Sequence, residues 1–168
     1  MNQNQELFCL EMFPYAEKAI GNQHGWLIRW AIAKAGVECG WDLNNVLIKR
    51  ANNCLGIKAG YFNHSIKTWN LFTGVPVIWV KANTGPEAGE QIPWRVFISL
   101  DRCFDELVRM WNDRTTYKLF RKKALNAFER TYTGNLPGHV ALINESITTV
   151  NQVLKFHNFV DRRGRIIV

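Results

Sequence analysis

Glu38 is the residue whose type and setting point to chemistry. It follows the apolar stretch 26–37 and is succeeded by Gly40 and Trp41. On a helical wheel it falls inside the apolar arc, near Leu27 and Ala31. A carboxyl held against apolar surface and an indole loses hydration, which raises its pKa and makes it a usable general acid near neutral pH. Lys34 stands one turn earlier, so an ion pair along the helix is the competing reading, in the weaker Lys-before-Glu orientation. A cation there would lower the pKa again and oppose an acid role.

Two further carboxylates, Glu87 and Glu90, stand in Thr84-Gly85-Pro86-Glu87-Ala88-Gly89-Glu90. A glycine-rich loop bearing carboxylates can swing over a bound chain and position water, with a solvated surface turn as the alternative. The cysteines Cys9, Cys39, Cys54 and Cys103 are far apart and contain no CxxC pair, so zinc ribbons and thioredoxin-like motifs are poorly supported and no metal or cofactor is expected. They read as reduced, buried thiols.

These residues need elements to place them. The patterning is helical from about Glu11 to Asn53, broken by turn formers around 21–25. Residues 26–37 are apolar nearly all round, the mark of a buried central helix that stops at Gly40. From Gly56 to Phe97 the texture turns β-like, with short apolar runs separated by Gly, Asn, Pro and Thr. Ser99 is a good N-cap for a helix carrying Leu100, Phe104, Leu107, Val108 and Trp111 on one stripe. A helix is expected over 117–130, and a last one from Pro137 with Val140, Ile143, Ile147, Val150 and Leu154. The expected fold class is α+β: a mainly helical single domain over 1–168, with a β lobe at about 57–98 and a basic tail at about 156–168.

The chain has 168 residues, 47% hydrophobic and 21% charged, which supports a sizeable core and excludes disordered and fibrous classes. No apolar run approaches the ~18 residues of a membrane span. The net charge of +7 favours polyanionic partners. Arg114, Lys118, Arg121, Lys122, Lys123 and Arg130 gather on one expected helix, and Lys155, Arg162, Arg163 and Arg165 load the tail. They fit contact with an anionic cell envelope or a plain solvated face. No nucleic-acid recognition motif accompanies them.

Val37-Glu38-Cys39-Gly40-Trp41, followed by Ala51-Asn52-Asn53-Cys54-Leu55-Gly56-Ile57-Lys58, resembles two motifs of the glucosaminidase-type peptidoglycan hydrolases, glycoside hydrolase family 73. There a helix ends in Glu-Ser-Gly-Trp-Gly and is soon followed by Asn-Asn-Leu-Phe-Gly-Ile-Lys. Trp94-Arg95-Val96-Phe97-Ile98-Ser99 resembles the family's Phe-Arg-x-Tyr-x-Ser segment, and Tyr132-Thr133-Gly134-Asn135 the start of its Tyr-Ala-Thr-Asp-Pro-x-Tyr segment. Cys39 and Asp42 depart from the pattern, and Lys34 replaces an uncharged residue. His139 lies near the position of the family's second Tyr, but offset.

The resemblance implies a lysozyme-like fold with a cleft between a helical and a β lobe. It implies cleavage of peptidoglycan after N-acetylglucosamine, with Glu38 as general acid and Glu87 or Glu90 as second carboxylate. It assigns substrate binding to Trp41, Asn53, Gly56, Tyr132 and His139. A muramidase, a lytic transglycosylase, and a silent glycan-binding or phage structural domain are the alternatives. With no signal peptide visible at the N-terminus, the expectation is a phage lytic enzyme or injected effector, made in the cytoplasm and acting on the cell wall.

Overall fold

Asn2 starts the first helix. Its side chain accepts from the Gln5 backbone N–H at 2.9 Å, and the Gln5 side chain accepts from the Asn2 N–H at 3.2 Å. This reciprocal capping satisfies two otherwise unpaired donors, so α1 spans Gln3–Ile20 and begins well before the expected start near Glu11. The structure, a computed structural model, describes residues 2–21, 24–82, 88–112, 137–161 and 166.

α1 buries Phe8, Cys9, Met12, Phe13, Ala16 and Ile20 along one face. α2, Gly25–Cys39, is buried on nearly all sides, as its sequence requires, and packs against α1 and the last helix. It ends where Gly40 adopts a left-handed conformation with φ +65°, which closes the helix at low steric cost. Trp41 then folds back: its N–H donates to the Gly36 carbonyl at 2.8 Å. Its indole lies so close to Gly36 that a Cβ there would sit 2.6 Å from the ring. The short α3, Val46–Ala51, is capped by Asn45, whose side chain accepts from the Leu47 N–H at 2.9 Å.

The middle of the chain forms two antiparallel hairpins: β1 (Gly60–Asn63) with β2 (Thr68–Leu71), and β3 (Val77–Lys81) with β4 (Gln91–Arg95). Residues 57–59 run beside β4, with Arg95 N–H donating to the Ile57 carbonyl at 3.0 Å and Ala59 N–H to the Pro93 carbonyl at 2.9 Å. Phe97 N–H donates to the Ala51 carbonyl at 2.7 Å and ties the lobe to the end of α3.

Helix returns directly after Ser99, as expected: α4 covers Leu100–Asn112 and buries Cys103, Phe104 and Leu107. α5, Pro137–Phe156, starts at the expected proline and buries Ile143, Val150 and Leu154. One apolar cluster joins these faces to α1 and α2. The class is α+β, mainly helical with a small β lobe between helices. The helix expected over 117–130, and its cationic residues, lie outside the described residues. Among the described residues, no helix is long and apolar enough to cross a membrane.

All four cysteines are buried free thiols. Burial pushes Cys9 and Cys39 up to about 12, and raises Cys54 well above its ordinary value.

Candidate active site

Glu38 sits on the last turn of α2, where the helix delivers its side chain to the loop after α3. Its Oε1 is 2.5 Å from the Lys34 ammonium, with the two side chains 26% and 18% exposed. The ion pair weighed against an acid role therefore forms. Glu38 also lies against Gly56. A Cβ on that glycine would stand 2.9 Å from Glu38 Oε2, and Gly56 has φ +62°, so a side chain here would both push the carboxylate aside and strain the backbone.

Asn53 holds this loop in place. It is 0% exposed and spends its amide on backbone: Nδ2 donates to the carbonyls of Ile57 and Arg95, each at 2.8 Å, and Oδ1 accepts from Ile57 N–H at 2.8 Å. Its contribution to any ligand is thus through the loop it shapes. Beside it, Asn52 takes φ +48° at the end of α3 and donates through Nδ2 to the Phe97 carbonyl at 2.9 Å.

A cleft of about 530 Å³ opens alongside, with Lys34 and Gly56, both neighbours of Glu38, in its wall. Arg95, Glu106 and Arg109 also line it, together with Lys58 and Phe72. Glu106 pairs with Arg95 and, at 2.7–2.8 Å, with Arg109. Burial pushes the Glu106 carboxyl up, but the hydrogen bonds and charges of Arg109 and Arg95 outweigh it and hold it below its ordinary value.

No family model matches the chain, and no curated protein matches it. Among solved structures, the chain aligns with the catalytic domain of the autolysin Auto from Listeria monocytogenes. The identity is 15% and the TM-score 0.49, over 94% of this chain and 86% of that one.

The expected site residues divide by location. Glu38 and Gly56 meet, with Asn53 beneath them. Trp41 is turned into the helical packing, its ring over Gly36 and edge-on to Phe8 at 5.5 Å. Glu90 stands at the far end of the β3–β4 hairpin, beside Gln91, whereas it is Arg95 at the other end of β4 that bonds the loop under Glu38. Four residues of strand, at about 3.4 Å each, separate those ends. Glu87 and Tyr132 lie outside the described residues, and His139 falls in the first turn of α5.

Sequence reasoning passed over Arg95, Glu106 and Arg109. Arg95 was visible inside the segment Trp94-Arg95-Val96-Phe97. Glu106 and Arg109 look like an ordinary helix-surface pair until β4 brings a second guanidinium onto the same carboxylate. Among the described residues, no group of three His, Cys, Asp or Glu is placed to hold a metal ion.

Proposed function

We propose that the protein is a peptidoglycan hydrolase that cuts the glycan strand as an endo-β-N-acetylglucosaminidase, with Glu38 as general acid. The observation that carries this reading is spatial. The two sequence segments bearing the resemblance, around Glu38 and around Asn53–Gly56, converge so that the carboxyl fits into the space left by the missing Gly56 side chain at the edge of a cleft.

In the reaction, Glu38 gives its proton to the glycosidic oxygen as the bond from that oxygen to the anomeric carbon breaks. Water supplies the new oxygen on that carbon, and its proton passes to a second carboxylate, for which Glu87 is the preferred candidate. Bound glycan must draw Glu38 away from Lys34 so that the carboxyl can carry its proton. Tyr132 and His139 are proposed to line the sugar path, and the basic residues to hold the protein against an anionic wall.

The Lys34–Glu38 contact favours one other reading, a silent glycan-binding domain in which the carboxylate stays paired. Digestion of purified peptidoglycan, borohydride reduction and mass spectrometry separate the possibilities. The expected product carries N-acetylglucosamine at its new reducing end. N-acetylmuramic acid there would mean a muramidase, and an internal anhydro ring a transglycosylase. Binding to sacculi with no new ends would leave the silent domain.

A further inference from the structure

The β lobe carries a second hollow, about 520 Å³, lined by Phe62, His64, Lys67, Trp69, Glu90 and Gln91. Its floor is set by strand register. Phe62 pairs directly with Trp69 across β1 and β2, so both rings stand on the same face of the hairpin, 5.5 Å apart at 61°. His64, in the following turn, meets Phe62 edge-on at 5.0 Å. That turn is kept tight by Asn63, whose side chain accepts from the Ser65 N–H at 3.0 Å, and by Lys67 with φ +50°. The polar groups come from both hairpins: Lys67 from the first, Glu90 and Gln91 from the second. The hollow also adjoins the cleft, because Lys58 lines the cleft while its ammonium lies 5.3 Å from the Trp69 ring centroid.

We infer that this hollow is a distal subsite for an uncharged sugar ring of the same glycan strand that occupies the cleft. The inference rests on the function proposed above and extends it. Three aromatic rings offer faces and edges to the C–H face of a pyranose. The Glu90 carboxylate and the Gln91 amide oxygen accept from sugar hydroxyls, and the Gln91 amide N–H groups donate to an acetamido carbonyl. One carboxylate and one ammonium give the hollow no net charge among its described lining, which suits a neutral saccharide better than a phosphate or an anionic lipid head. Glu90, expected as a catalytic carboxylate, takes a binding role here.

The test uses Glu38→Gln protein, so that the ligand is not consumed, and stem-free glycan strands released from sacculi by amidase and sorted by length. Calorimetry should show tighter binding as strands lengthen. Adding Trp69→Ala should weaken binding of long strands by about tenfold while short strands bind as before. Trp69→Phe should retain most of the affinity. If Trp69→Ala fails to fold by circular dichroism, Glu90→Gln and the exposed-site change His64→Ala carry the same expectation. Length-independent binding, or equal affinity of the variants for long strands, would overturn the subsite and leave the reading of Glu38 intact. A Glu38→Gln protein that binds no strand of any length would overturn both.

Discussion

At the scale of single residues, the chemistry turns on Glu38 and the ammonium at 2.5 Å from it. Glu38→Gln keeps the size of the side chain and removes its transferable proton. Peptidoglycan clearance should fall by about 10²–10⁴-fold with the thermal midpoint little changed; clearance near the wild-type rate would sink the mechanism. Lys34 acts in the opposite sense. An adjacent cation favours the ionised carboxyl, so activity should lie on the acidic side of neutrality, where the acid still carries its proton. Lys34→Gln should move the falling, alkaline limb of the kcat/KM–pH profile, which reports the free enzyme, upward. An unmoved limb would mean that Lys34 does not influence the Glu38 carboxyl in the free protein.

At the scale of elements, the site depends on the loop between α3 and β1. Gly56→Ala would place a Cβ 2.9 Å from Glu38 Oε2 and force a side-chain-bearing residue to φ +62°. Backbone strain of that kind costs about 1–3 kcal/mol, so stability and turnover should fall together, unlike the selective loss in Glu38→Gln. Asn53→Ala would take the Asn53 amide away from the Ile57 N–H and the Arg95 carbonyl, around a side chain that is itself fully buried, while the Ile57 carbonyl keeps the Arg95 N–H. Each unpaired group costs about 1–3 kcal/mol, and denaturant titration should register a loss of at least ~2 kcal/mol. A near-neutral result would require the loop to repack with other partners.

At the scale of the whole molecule, Glu106 joins α4 to the β lobe through Arg95 and so helps hold the cleft walls together. Its carboxyl lies below the ordinary value of about 4.3 in the folded protein. Ionised Glu106 therefore stabilises the fold at and above that ordinary value, and the contribution disappears as pH falls through the folded value. Glu106→Gln should be less stable than the wild type at neutral pH, and the two should converge in acid when midpoints are followed against pH. A constant gap would show that the carboxylate's charge is not what matters. The thiols give an independent test of packing. With Cys9 and Cys39 raised to about 12 by burial, a thiol reagent at neutral pH should react slowly until denaturant is added.

The sequence by itself determined most of the elements and the position of Glu38 at the end of a buried helix. Those features rest on short-range physics: apolar periodicity over 26–37, a stop at Gly40, a start after Ser99 and another at Pro137. It missed the early start of α1 because polar residues 2–6 carry no apolar stripe, although the Asn2–Gln5 cap was there in the residue types. Tertiary structure decided which of two permitted states Glu38 adopts, because an i, i+4 spacing allows the Lys34 contact without requiring it. It also decided that Gly56 makes room for Glu38, that Arg95 reaches Glu106, and that Glu90 belongs to a different hollow from the cleft. Each of those facts joins or separates residues on different elements, and such distances follow from how helices and hairpins pack rather than from any local pattern of side chains.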